Sequence, residues 1–147
     1  MGIIVIFLIV IRFFNISLTA LPTTFKEMVE DQIDQDEVLV MPNLDVDRID
    51  KIRIEHPQKG SSSHPENTVI IEDKEIISTL LTNGLRIYNG GRFNASNDEY
   101  DLYVDYYGST HRYTFAEEYI RTMGGNYIVL DANNELYNDV VSLYEEN

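Results

Sequence analysis

A chain of 147 residues has room for one folded domain rather than two. Its 11 basic and 25 acidic residues argue against a nucleic-acid partner, whose phosphates must be covered by Lys and Arg, and against docking on an anionic lipid surface. With no cysteine, disulfides, thiolate catalysis, Cys-ligated zinc and a lipid anchor on a lipobox cysteine are all excluded.

The charge is unevenly placed. Every acidic residue lies at or after Glu27, and the segment before Lys26 holds one charged side chain, Arg12. Residues 3–11 are nine consecutive large apolar side chains, followed by Arg12, Phe13 and Phe14. As a helix, residues 2–21 would span about 30 Å, the thickness of a bilayer core. Arg12 at the centre of such a helix opposes insertion by about 2.5–3.5 kcal/mol. The 14 Ile, Leu, Val and Phe residues between Ile3 and Leu21 favour it by a combined ~4–8 kcal/mol. The apolar side wins, and Arg12 can snorkel toward the headgroups. Residues 1–21 therefore read as a signal peptide or a transmembrane anchor. The short apolar core fits the first; the bulky Leu18, two residues before a cleavage point after Ala20, fits the second. Either way the remainder is expected outside the cytoplasm, membrane-anchored or secreted.

Residues 22–49 read as an acidic connector with a short helix. Phe25, Met28, Val29 and Ile33 fall on one stripe, and Thr24 with Glu27 three residues later has the form of a capping box. Val38, Leu39 and Val40 form an apolar patch. The pattern turns to β in residues 51–55, where Ile52 and Ile54 alternate with charges. Residues 56–66 contain two prolines, a glycine and three serines and form a loop. Residues 68–71 are a second strand. Asp73 is a helix cap, and Ile76, Ile77, Leu80 and Leu81 form the stripe of a helix that ends near Asn83-Gly84.

Residues 85–88 read as a strand broken by Asn89-Gly90-Gly91. Residues 100–107 alternate most clearly: Tyr100, Leu102, Val104 and Tyr106 face one way, and Asp101, Tyr103, Asp105 and Tyr107 the other. Gly108-Ser109 turns the chain into residues 111–115, and Gly124-Gly125 joins residues 119–123 to 126–130 as a hairpin. A last helix is predicted over residues 132–145. Short turns between strands imply an antiparallel sheet. The expectation is a two-layer α+β domain at residues 50–147, with two helices on one face of the sheet and an N-terminal apolar helix outside it.

Candidate chemistry is sparse. Asp131, Asn133 and Glu135 occupy the first, third and fifth places of an EF-hand-like loop, but Leu136 stands where the turn needs glycine and Ser142 where calcium needs a bidentate Glu. Asn94, Ser96, Asp98 and Asp105 make a similarly broken match. A run rich in acids before a helix is explained by capping and the helix dipole. His56, His64 and His111 lack zinc-ligand spacing and are expected in solvent-exposed loops. Ser61 to Ser63 adjoin His64, but no nucleophile elbow is present. No cofactor, metal or catalytic residue is indicated. The 10 tyrosines, with no tryptophan, are the strongest signal. Asp101, Tyr103, Asp105 and Tyr107 on an outer strand face make a candidate binding surface, since aromatics beside carboxylates suit protein or glycan partners.

The order of pieces also carries a resemblance. A Phe-Lys-Glu-Met-Val stretch from Phe25 leads to Asp50-Lys51-Ile52-Arg53-Ile54. Then come Ile70-Ile71-Glu72-Asp73-Lys74-Glu75-Ile76-Ile77, an acidic Tyr100-Asp101-Leu102-Tyr103-Val104 strand and a closing Gly-Asn-Tyr-Ile-Val-Leu arm with its helix. Over roughly residues 25–145 the chain resembles small extracytoplasmic proteins of low-GC Gram-positive bacteria, many of them lipoproteins. It departs from those lipoproteins in lacking the lipobox cysteine. The functional expectation is a non-enzymatic extracytoplasmic domain that binds a protein or cell-envelope component. Two alternatives stand beside it: an acidic immunity or inhibitor protein against a basic toxin or enzyme, and a small carboxylate-dependent hydrolase.

Overall fold

The computed structural model describes residues 21–34, 44–57, 67–94 and 96–146. The apolar segment before Leu21, the Val38 to Val40 patch and the serine-rich loop with His64 lie outside the described residues. No helix among the described residues is long and apolar enough to cross a membrane.

Chain order begins with a two-residue strand β1 (Thr23–Thr24) and helix α1 (Phe25–Asp34). The capping box forms: the Thr24 amide donates to Glu27 Oε2 at 2.9 Å, and the Glu27 amide donates to Thr24 Oγ1 at 3.2 Å. That backbone donor and the Thr23 hydroxyl hold the Glu27 carboxyl below its usual range. A 3-10 turn (Val46–Arg48) leads to the hairpin β2 (Ile52–Glu55) and β3 (Thr68–Ile71). Helix α2 (Lys74–Leu81) follows, its first amides capped by Asp73 Oδ1, which accepts from Glu75 at 2.8 Å and Ile76 at 3.2 Å. Then come β4 (Arg86–Asn89), a four-strand meander β5 (Tyr100–Tyr106), β6 (Ser109–Phe115), β7 (Tyr119–Thr122) and β8 (Gly125–Val129), and helix α3 (Glu135–Glu145).

All eight strands join one antiparallel sheet in the order β1-β4-β8-β7-β6-β5-β2-β3. Because side chains alternate along each strand, one face collects Ile52, Ile54, Leu102, Val104, Tyr113, Phe115, Ile120 and Ile87, all fully buried. Three helices among the described residues close over that face, where two were expected. The stretch read as a connector supplies the third: Phe25, Met28, Val29 and Ile33 of α1 enter the same cluster as Ile77, Leu80 and Leu81 of α2 and Leu136 and Val140 of α3. A helix with four large apolar residues on one stripe has no stable place in solvent, and the sheet is wide enough to take it. Phe25 is its anchor, with ring centroids 5.7 Å from Tyr113 and 5.4 Å from Phe115.

Helix α3 begins three residues later than its periodicity suggests. Asn134 caps it, Oδ1 accepting from the Tyr137 amide at 3.0 Å, while Nδ2 donates to the carbonyls of Ala116 and Glu117. Upstream, Asp131 is taken by Arg86, whose amide and Nε donate to it at 2.8 and 2.7 Å. These bonds hold residues 131–133 across the sheet end rather than along the helix axis. They also keep the Asp131 carboxyl below its ordinary range.

Replacing Phe25 with Ala should cost about 3–5 kcal/mol, the range for losing a fully buried phenyl ring. Urea denaturation checks this, and a loss below about 1 kcal/mol would mean that α1 is not part of the cooperative core.

Tyr113 allows a sharper test. Its hydroxyl is buried with no hydrogen-bond partner among the described residues, and burial pushes its phenol well up. In the unfolded chain a phenol ionises near pH ~10, so above that pH only the unfolded state loses the proton and stability falls. Tyr113→Phe should therefore be neutral, or stabilising by up to about 1 kcal/mol, at pH ~7. It should also retain more of its stability than the native chain near pH ~11. Denaturation curves at the two pH values decide it; a clear loss at neutral pH would show that the hydroxyl is bonded.

Candidate functional site

The sheet face opposite the helices carries a different chemistry. Reading across it, β2 contributes Arg53 and Glu55, β5 contributes Asp101, Tyr103 and Asp105, β6 contributes Thr110, Arg112 and Thr114, and β7 contributes Tyr119 and Arg121. Arg53 lies opposite Tyr103, and Tyr103 opposite Arg112. Asp101 faces Glu55 on one side and Thr114 on the other. Cross-strand partners at this spacing touch, and here they interlock.

Two modules result. In the first, Tyr103 lies between two guanidinium groups, with Arg53 Cζ 4.9 Å and Arg112 Cζ 5.9 Å from its ring centroid. Arg112 Nη2 donates to Asp101 Oδ2 at 2.7 Å, and Thr114 Oγ1 donates to Asp101 Oδ1 at 2.6 Å. The Asp101 side chain is only 3 % exposed, whereas that of Arg112 is 52 % exposed. The bond that Arg112 donates to Asp101 raises the arginine above its ordinary value. Burial, followed by the nearby Asp101 charge, raises the Tyr103 phenol. At the strand end Asp105 accepts from Thr110 at 2.6 Å and sits 3.9 Å from Arg53.

The second module centres on Glu99, buried just before β5. It accepts from the Tyr119 hydroxyl, from Arg121 Nη2 and from the Ser96 amide. Phe93 stacks on Tyr119 with centroids 4.6 Å apart and planes 10° from parallel, and Arg121 lies 5.7 Å from the same ring. The Tyr119 phenol is raised by burial and by its bond to Glu99.

Of the four candidate residues, Asp101, Tyr103 and Asp105 share this face. Tyr107 does not. It occupies a two-residue turn with Gly108, both at positive φ (49° and 82°), between Tyr106 and Ser109, which pair. That is a type I′ hairpin, whose twist suits the strands it joins. Tyr107 is 55 % exposed, edge-on to Tyr106, with Arg48 Cζ 4.8 Å from its ring centroid, so its ring leans toward the helical side. The turn falls one residue earlier than Gly108-Ser109, and this takes Tyr107 out of the strand.

Arg53, Arg112, Arg121, Tyr119 and Glu99 were not nominated from sequence. The signal was present: once a two-residue turn at 107–108 is fixed, counting outward pairs Tyr103 with Arg112 and Asp101 with Thr114.

The other candidates resolve as structural parts. His56 and His111 are not loop residues in solvent. His56 continues the inward alternation of Ile52 and Ile54 and is buried edge-on to Tyr100 at 4.7 Å; His111 lies in β6 opposite Val104. The acidic run before α3 borders a recess of 430 Å³ lined by residues that include Asp131, Asn133, Asn134 and Asn138. Asp131 binds Arg86, Asn134 caps α3 and Asn133 accepts from Asn138. Among the described residues no group of three or more His, Asp or Glu side chains is placed to hold a metal ion. Comparison with family models, with curated proteins and with solved structures gives no match.

The burial asymmetry of the Asp101 and Arg112 pair has a measurable outcome. Removing Arg112 strands a buried carboxylate, and Arg112→Ala should cost about 2–3 kcal/mol. Asp101→Asn keeps an acceptor for Thr114 and frees an arginine that water already reaches, so about 1 kcal/mol is expected. Equilibrium unfolding of both variants tests this; a larger loss for Asp101→Asn would overturn the assignment of Asp101 as the desolvated partner.

Proposed function

We propose that this chain is a non-enzymatic binding domain, held outside the cytoplasm through its N-terminal segment, that engages a protein or cell-envelope component through the outer face of its sheet. The observation that carries the reading is Tyr103 fixed between Arg53 and Arg112 on a face that no helix among the described residues covers. An aromatic ring already held by its neighbours loses little rotamer freedom on binding. Arginine and tyrosine are also the side chains that most often dominate binding energy at interfaces. The buried carboxylates support binding over hydrolysis: Asp101 and Glu99 both accept from an arginine and a hydroxyl of their own chain. That arrangement suits fixed acceptors, whereas glycoside hydrolysis asks one carboxyl to deliver a proton.

A photo-cross-linking residue at the exposed outer-face position Thr110, in cells that produce the chain, should yield a discrete adduct. The same residue at Glu118, off the sheet face, should not. Tyr103→Ala should reduce the Thr110 adduct several-fold without altering the thermal midpoint by more than about 5 °C. Equal adducts from both positions, or an adduct indifferent to Tyr103→Ala, would reject the outer face as the binding surface.

A further inference from the structure

We propose that the groove between α2 and α3, on the solvent side of the helical layer, is a docking site for a short basic amphipathic helix of a partner protein. The groove encloses 410 Å³. Ile76 and Leu80 of α2 and Leu143 of α3 form its apolar floor; Glu75, Asp139 and Glu146 stand along its walls. Glu75 with Thr79 and Ile76 with Leu80 are each four apart on α2, as are Asp139 with Leu143 and Ser142 with Glu146 on the α3 side, so two adjacent i, i+4 rows line the groove from each helix. From Glu75 to Leu80 the α2 side is about 7.5 Å long and from Asp139 to Glu146 the α3 side about 10 Å, so the groove accommodates roughly two turns of a helix. An amphipathic helix laid in it places side chains at i, i+3 and i+4 on the apolar floor.

Charge selects the kind of helix. None of the three wall carboxylates pairs with a basic side chain among the described residues. Neither helix supplies a cation of its own to the groove. α3 has no Lys or Arg, and Lys74, the one base of α2, donates to the backbone carbonyls of Asp47 and Ile49. A partner with Lys or Arg flanking its apolar stripe therefore meets uncompensated carboxylates on both walls. A second copy of this chain would bring no surplus of positive charge, since α3 has three acids and no base and α2 balances Lys74 with Glu75, and an anionic lipid surface would be repelled. This site is separate from the outer sheet face and does not depend on the function assigned to that face.

The probe is a short acetylated and amidated helix with leucines at i, i+3, i+4 and i+7 and lysines elsewhere, carrying a fluorophore. Its anisotropy is measured with purified full-length protein. Two control peptides replace every lysine with glutamate, or every leucine with serine. Thr79 and Ser142 also line the groove and are exposed, so Thr79→Arg and Ser142→Arg obstruct it and reverse its charge without touching the core. The expected result is saturable binding of the leucine–lysine helix, at least ~10-fold tighter than either control, with about tenfold or greater weakening by each Arg variant. Urea midpoints matching the native chain establish that both variants are folded. Absence of binding by the leucine–lysine helix overturns the proposal. So does equal binding of the serine–lysine control, which would reflect net charge alone, or binding unaffected by both variants. A dimer of the free protein that Ser142→Arg dissociates, seen by sedimentation velocity, would assign the groove to a second copy and likewise overturn it.

Discussion

The pairing of β5 with β6 through the Tyr107–Gly108 turn governs both faces of this protein. Seven residue pairs run from Tyr106 with Ser109 to Tyr100 with Phe115. Their register sets Leu102 opposite Tyr113 inside and Tyr103 opposite Arg112 outside. A slip of β6 by one residue would turn Arg112 and Thr114 toward the helices and expose Tyr113 and Phe115. The turn that prevents this holds a non-glycine residue in left-handed backbone, which costs about 1–2 kcal/mol. Tyr107 offsets part of that through its contacts with Tyr106 and Arg48. On the outer face, the bonds of Asp101 to Arg112 and Thr114 form only in this register, so polar pairing and apolar burial specify the same alignment.

The same alignment divides the charge of the molecule. Arg53, Arg112 and Arg121 stand among Glu55, Asp101, Asp105 and Glu99 on or beside the outer face, where attraction is spent locally in pairs and ring contacts. The surplus of carboxylates lies elsewhere, notably on the helices: α1 carries Glu27, Glu30 and Asp31 against Lys26, and α3 carries Glu135, Asp139 and Glu145 with no base. The overall charge of −14 is thus no guide to the sheet face, which is close to balanced.

Periodicity made most of the fold legible. The alternation in β2 and β5 and the Asp73 cap of α2 each state a local preference that the tertiary structure keeps, whereas the hairpin expected at Gly124-Gly125 turns one residue earlier, at Met123-Gly124, because Gly125 already pairs with Thr122 as the first residue of β8. The helix α1 was also visible as a stripe, but its membership of the core was not, because a stripe does not say which surface will cover it. The start of α3 was set by contacts distant in sequence, from Asn134 to Ala116 and from Asp131 to Arg86, which periodicity cannot contain. The outer-face candidates were half legible for a related reason. Alternation identified Asp101, Tyr103 and Asp105, but their arginine partners come from neighbouring strands. Finding those requires the turn geometry, and the tyrosine in the turn obscured it.

The two faces should also respond differently to their surroundings. On the outer face each ion sits within a few ångströms of its counter-ion, so little field extends into solvent, and the proposed recognition there would rest on contact, ring against ring and donor against acceptor. The helical side carries a surplus of carboxylates, of which Glu75, Asp139 and Glu146 have no ion-pair partner among the described residues, and its field extends to roughly the screening length, about 8 Å at physiological ionic strength. Approach of the proposed basic partner to that side would be accelerated by attraction before contact, and salt would weaken the acceleration. The division follows from the sequence through one device: strands that alternate arginine and acid with apolar residues neutralise the face they expose, while helices built with acids on their solvent side leave theirs charged.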